Sequence, residues 1–478
     1  MEDSTKTTLL FLSLLFSTAF SSPKPKPLLY ETLLLNPLSK PPTPNPTLPW
    51  TSTETITDSE SETATSIYLR LEHRDSLATN STAEELFQLR LKRDSLRVQA
   101  LSGVRNATVH VSDFSSSVVS GLSQGSGEYF TRIGVGTPPK YAYMVLDTGS
   151  DIVWLQCAPC RKCYTQSDPV FNPSRSNSFS AVRCGDPLCR RLDVSGCGRR
   201  GTCLYQVSYG DGSFTMGEFS TETLTFRGTK VAGIALGCGH DNEGLFVGAA
   251  GLLGLGKGRL SFPSQAARQF GGKFSYCLVD RTSSTAARGQ SATSYIIFGQ
   301  SSVPRSAIFA PMVANPRLDT FYYVGLTGIS VGGKRVAGIT EAMFRLDTSG
   351  NGGVIVDSGT SVTRLVRPAY VAFRNAFAAG AAGLKKAAGF SLFDTCYDLS
   401  GLTEVKVPTV VLHFGKGADL SLPAVNYLIP VNTQGVFCFA FAGTANGLSI
   451  IGNIQQQGFR VVFDTAGGRV GFSPHGCR

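Results

Sequence analysis

Two short stretches hold residues that could do chemistry together. "VLDTGSDIVWL", Val145 to Leu155, sets Asp147 behind two apolar residues and ahead of Thr148-Gly149-Ser150. "VIVDSGTSVTRL", Val354 to Leu365, repeats that layout around Asp357, with Ser358, Gly359 and Thr360 following. Apolar residues on both sides read as buried strands, and a buried carboxylate is costly unless something hydrogen-bonds it. One Asp-Thr-Gly is a common turn. Two copies 210 residues apart, each followed by an apolar-apolar-Gly element (Leu252-Leu253-Gly254 and Ile450-Ile451-Gly452), point instead to a duplicated lobe.

Two such lobes meeting about a pseudo-twofold axis would bring Asp147 and Asp357 face to face, with Thr148, Ser358 and the glycine amides supporting the carboxylates from behind. Like charges about 3 Å apart cannot both ionise comfortably, so the pair shares one proton. The charged partner can take a proton from a bound water while the protonated one donates to a scissile carbonyl. That is amide hydrolysis with no covalent intermediate, no cofactor and no metal.

The elements around these loops read as β. "GEYFTRIGVGTPPKYAYMVLDTGS" alternates apolar and polar residues, turns at Gly136-Thr137-Pro138-Pro139 and runs back toward Asp147. Short apolar runs then alternate with Gly/Ser/Asn turns to the C-terminus, the clearest helical exception being Pro368 to Ala382. A chain of 478 residues with 52 glycines and only 16% charged residues suits a β-rich, two-domain body. The net charge of +10 falls outside the first 121 residues, which are slightly acidic. No run of Lys/Arg interleaved with aromatics accompanies it, so a basic protein surface is expected rather than a nucleic-acid partner.

The first 121 residues differ in texture. Leu9 to Phe20 has the length of a signal h-region, with Ala19 and Ser21 as small residues for cleavage, and is too short to cross a bilayer. Residues 23–65 are Pro/Ser/Thr-rich and read as disordered. "STAEELFQLRLKRDSLRVQAL" then reads as a helix capped by Ser81 or Thr82, basic in its later half at Arg90, Lys92, Arg93 and Arg97. Sequons at Asn80 and Asn106 lie in this leader. The expected organisation is a signal peptide (1–22), a propeptide (23–121), an N-terminal lobe (122–310) and a C-terminal lobe (311–478). Twelve cysteines, none before Cys157, fit a disulfide framework in an oxidising compartment. Cys157-x2-Cys160-x2-Cys163 could begin a metal site, but no matching Cys/His set follows it.

These motifs resemble the pepsin-like aspartic peptidases, in particular the plant nepenthesin-like group, over about Gly125 to Cys477. The resemblance implies an all-β, bilobal fold with a few short helices, a substrate cleft between the lobes and a hairpin flap over it. It makes Asp147 and Asp357 the catalytic pair, with Ser150 and Thr360 as outer hydrogen-bond partners. "VSYGDGS" matches the flap, which places Tyr209 at the flap tyrosine and Trp154 at the tryptophan that bonds to it. Carried over by position, the cysteine order implies Cys157–Cys160, Cys163–Cys238, Cys184–Cys203, Cys189–Cys197, Cys277–Cys477 and Cys396–Cys438; spacing alone cannot choose among connectivities. It further implies a monomeric secreted zymogen, or one kept in the endomembrane system or a vacuole. Its partners would be protein or peptide substrates, its own propeptide and pepstatin-type inhibitors. The cysteine-rich insert follows the first motif, there is no room for a saposin-like insert after Asp357, and no apolar C-terminal tail suggests a membrane anchor.

Two rival readings remain. Plant xylanase inhibitors share the scaffold without a working aspartate pair, so a catalytically silent binding protein is the alternative. "GLSQG", Gly121 to Gly125, formally fits a serine-hydrolase elbow at Ser123, but no strand precedes it and no helix follows it.

Overall fold

The computed structural model describes residues 29–39, 66–77, 80–103, 129–209, 213–244, 248–279, 293–444, 447–474 and 476–477. The signal segment, Asn106, Ser123 and the tip of the expected flap (210–212) lie outside these residues.

The body is bilobal and all-β, as the alternating pattern predicts. In the N-terminal lobe, Lys140–Asp147 lies parallel to Gly251–Gly254, with Asp147 opposite Gly254. In the C-terminal lobe, Val354–Val356 lies parallel to Ser449–Ile451. The sequence echo is thus a structural one. Both downstream glycines are required by close approach. A Cβ on Gly254 would meet the Asp151 backbone at 2.3 Å, and one on Gly452 would meet the Ser361 carbonyl at 2.6 Å.

A six-stranded sheet joins the lobes, in the order Ile308–Pro311, Arg469–Ser473, Arg460–Asp464, Lys273–Cys277, Tyr295–Phe298 and Ile67–Arg70. Stacked Phe274 and Phe463, with ring centres 4.7 Å apart, pack the core across it. Its last strand comes from the leader. The expected helix near Pro368 is Arg367–Gly380, with Phe373 and Phe377 buried on one face.

The leader is more ordered than its composition predicts. The helix spans Ala83–Gly103, and Thr82 caps it: the Glu85 amide donates to the Thr82 hydroxyl at 3.2 Å and the Thr82 amide to the Glu85 carboxylate at 2.8 Å. Asn80 is exposed just ahead of it. Within the stretch expected to be disordered, Tyr30–Leu34 forms a strand paired antiparallel with Glu404–Pro408. Prolines crowd that stretch, but the strand itself has none, and the edge it meets supplies the pairing that a free peptide lacks.

The disulfides also depart from expectation. Cys277–Cys477 and Cys396–Cys438 form. The other four pairings do not: the structure has Cys157–Cys238, Cys160–Cys163, Cys184–Cys197 and Cys189–Cys203 instead. The parallel ladder of Trp154–Gln156 with residues 237–239 runs Cys157 up against Cys238 and leaves Cys160 and Cys163 in one turn. In the insert, Cys189 and Cys203 are both buried in one cluster, whereas Cys184 and Cys197 lie outward, so each pairs within its own layer.

Candidate active site

Asp147 and Asp357 are each at most 1% exposed. Burying a carboxylate is tolerable only with hydrogen bonds, and each loop supplies the same set. The Gly149 amide donates to Asp147 Oδ1 at 3.0 Å and the Ser150 hydroxyl to Oδ2 at 2.8 Å. The Gly359 amide donates to Asp357 Oδ1 at 3.1 Å and the Thr360 hydroxyl to Oδ2 at 2.6 Å. The Thr148 hydroxyl crosses the interface to Asp357 Oδ1 at 3.3 Å and accepts from the Ser358 amide at 2.8 Å, with the Ser358 hydroxyl 3.2 Å away. Two loops distant in sequence are thereby locked to one another. A Cβ on Gly149 would stand 3.1 Å from one Asp357 oxygen and 3.4 Å from one Asp147 oxygen, so both carboxylates crowd the same spot.

That spot holds a guanidinium. Arg97 of the leader helix donates from Nη2 to Asp147 Oδ1 at 2.6 Å, from Nε to Asp357 Oδ2 at 2.8 Å and from Nη2 to Asp357 Oδ1 at 2.9 Å. Burial pushes the Asp357 carboxyl up, but the Arg97 charge and hydrogen bonds, with Thr360 and Gly359, outweigh it and hold the group below the usual carboxylate range. Burial alone would lower the Arg97 guanidinium, yet the two aspartates raise it further above its already high value. In this structure the pair therefore shares a cation, where the sequence suggests a shared proton.

The same helix face binds the C-terminal loop. Arg90 donates to the Ser361 hydroxyl at 2.9 Å and to Asn453 Oδ1 at 2.6 Å. Asp94 accepts from the Val362 amide at 3.1 Å, from the Ser361 amide and from the buried Arg364 guanidinium. Of the four cations singled out in the sequence, Arg90 and Arg97 bond to the body. Arg93, itself buried, pairs with Asp75 of the leader, and Lys92 is exposed. Arg90, Asp94 and Arg97 recur at helical spacing, a signal that counting basic residues overlooks.

Tyr209 follows the strand Cys203–Ser208, whose hairpin partner is Phe214–Phe226. Trp154, fully buried, donates from its indole nitrogen to the Tyr209 hydroxyl at 2.7 Å. A further acid, Asp151, was not among the expected site residues. It accepts from the Gly258 amide at 2.9 Å and the Thr320 hydroxyl at 2.6 Å. Burial, helped by Asp319 and Asp193, outweighs those bonds and raises its carboxyl to about 6. Among the described residues no group of His, Cys, Asp and Glu is arranged to hold a metal ion.

Family models described as xylanase inhibitor N-terminal and xylanase inhibitor C-terminal match residues 129–300 and 321–474. Aspartyl protease family protein 2 of Arabidopsis thaliana is 65% identical over 90% of this chain and 90% of its own. Aspartic proteinase nepenthesin-1 of Nepenthes gracilis is 38% identical over 86% of this chain and 91% of its own. This chain belongs to the pepsin-like aspartic peptidases. It is an aspartic-type endopeptidase. Among solved structures, the peptidase resembles edgp at a TM-score of 0.60 and 23% identity, covering 72% of this chain and 91% of that one, a likeness of fold alone. No helix among the described residues of the peptidase is long and apolar enough to cross a membrane.

Proposed function

We propose that the chain is a secreted zymogen whose Asp147 and Asp357 hydrolyse peptide bonds at acidic pH once the leader helix has left. The observation that carries this reading is the single Arg97 guanidinium bonded to both carboxylates. It occupies the point where a water and a scissile carbonyl would have to sit. With Arg97 gone, two carboxylates held this close share one proton. The ionised one takes a proton from water, whose oxygen attacks the carbonyl carbon. The protonated one gives its proton to the carbonyl oxygen, forming a neutral diol. Collapse of the diol, with proton transfer to the departing nitrogen, breaks the C–N bond and restores the pair. Ser150 and Thr360 keep each carboxylate aimed, and Tyr209, braced by Trp154, closes over the bound chain.

Acid is the release signal. A carboxyl held below its ordinary value contributes to docking above that value and loses the contribution as pH falls through the lowered one. The Arg97 lock therefore holds in full above the ordinary value of 3.8 and weakens as pH falls below it. The final compartment would be extracellular, endomembrane or vacuolar, with Asn80 and Asn106 as glycan sites and the body acting as a monomer.

The test is hydrolysis of a denatured protein across about pH 3 to pH 4, with and without pepstatin, beside Asp147→Asn and Asp357→Asn. Activity that pepstatin blocks and both variants lose supports the reading. Correctly processed protein with no hydrolysis across the acid range would favour the alternative, a silent binding protein, which the family descriptions keep in view.

A further inference from the structure

Besides the aspartates and the shared sheet, the leader touches the body at an edge of different character and chemistry. Tyr30–Leu34 pairs with Glu404–Pro408 over five residue pairs, from Tyr30 opposite Pro408 to Leu34 opposite Glu404. The ladder continues outward: the Leu35 amide donates to the Thr403 carbonyl at 2.8 Å and the Thr409 amide to the Leu29 carbonyl at 3.2 Å. Among the described residues, Glu404–Pro408 has no other strand partner. Val405 and Val407 are nonetheless buried, so this segment belongs to the body's core while its backbone pairing comes wholly from the leader.

Side chains match the ladder. Alternation turns Glu31 and Leu33 toward the body. Leu33 is 2% exposed and lies in the largest core cluster, above a crevice lined by Val425, Leu428 and Phe437. The buried Tyr427 hydroxyl donates to the Glu31 carboxylate. Four residues past the strand, Leu38 is buried against Ile429 and Val431.

We propose that the Glu404–Pro408 edge is a peptide-binding site that keeps Leu29–Leu38 as a non-covalent strand of the matured enzyme. Its ligand class is an extended peptide carrying a carboxylate and, two residues on, a leucine on the same face. The proposal rests on the zymogen reading, because only processing separates the strand from the body. The leader helix has to leave for any substrate to reach Asp147 and Asp357, whereas the strand blocks neither. Its hold is a main-chain ladder and buried leucines, which do not titrate, and a Glu31 carboxyl that burial pushes up, so that its docking is favoured in acid. The acid that frees Arg97 therefore leaves it in place.

The experiment uses the full chain in two arms. In one, a recognition sequence for an unrelated site-specific protease is inserted within residues 40–65 and cut at neutral pH. In the other, the unaltered chain matures in acid. Each product is passed through gel filtration, and the body peak is denatured and weighed. The expected result is one N-terminal fragment containing Leu29–Leu38 per body in both arms. Leu33→Ala should raise the dissociation constant of that fragment at least about tenfold, and Glu31→Gln by less. A fragment that elutes apart from the body in either arm overturns the proposal. Failure of the unaltered chain to mature counts against the zymogen reading, and the inserted-site arm then decides the strand by itself.

Discussion

The loop after Asp147 and the loop after Asp357 hold their carboxylates with matching groups: a glycine amide two residues on and a hydroxyl three residues on. They diverge at the fourth residue. In the N-terminal loop this is Asp151, whose carboxylate turns inward to the Gly258 amide and to Thr320, in the segment leading to the strands behind Asp357. In the C-terminal loop it is Ser361, which turns its amide and hydroxyl toward Asp94 and Arg90 of the leader. One copy spends its spare polar position on internal bracing, the other on receiving the helix. Duplication preserved what aims the carboxylates and left the adjacent position free to specialise.

The shared part of the comparison predicts the largest effect. Asp147→Asn and Asp357→Asn should each lower kcat at least about a hundredfold, the usual worth of a positioned acid or base. Equivalent loops predict similar losses. A variant that kept near-normal turnover would show that the loops are not functional copies.

The divergent part predicts the next. Arg97→Ala and Asp94→Asn should speed acid maturation by about tenfold or more, because removing one member of a buried pair leaves the other uncompensated, at about 3–5 kcal/mol. Lys92→Ala should leave the rate unchanged. A time course of leader removal followed by electrophoresis reads all three, and an effect of Lys92→Ala equal to that of Arg97→Ala would deny the helix a specific face.

Cross-links also differ within the N-terminal lobe. Cys157–Cys238 spans 81 residues and Cys160–Cys163 only 3. Loop-closure entropy then assigns about 4–5 kcal/mol to the first and about 1–2 kcal/mol to the second. Paired Cys→Ala variants in chemical denaturation should rank that way, and equal costs would show that strain or residual structure governs instead.

Asp151 gives the smallest effect. Its folded value of about 6 lies above the ordinary 3.8, so the native state keeps a proton that the unfolded chain releases. That stabilisation is full below the ordinary value and fades as pH rises through about 6. Asp151→Asn should therefore shrink the difference in Tm between about pH 3.5 and pH 7 by a few degrees. An unchanged difference would place the acid stability elsewhere.

The aspartate loops were legible because duplication wrote them twice, and the Trp154–Tyr209 contact because both residues sit in recognisable surroundings. Arg97 was visible only as one of four basic residues. Reading the helix by its 3.6-residue period would have put Arg90, Asp94 and Arg97 on one face and Lys92 on another. The cysteine pairing was not legible: Cys197 and Cys203 lie opposite each other in a ladder yet bond elsewhere, since burial and not register selects their partners. Nor was Tyr30–Leu34, because a strand made by joining a distant edge leaves only a faint local pattern.

Cys277 closes the strand Lys273–Cys277 of the shared sheet, and its sulfur is joined to Cys477, 200 residues downstream. Between them lie most of the second lobe and the loop of Asp357. That arrangement makes the lobe a covalent ring. A backbone nick anywhere inside it, from this peptidase or a neighbouring one, leaves two pieces that sulfur still holds together. Damage of that kind stays hidden until a reductant opens the ring.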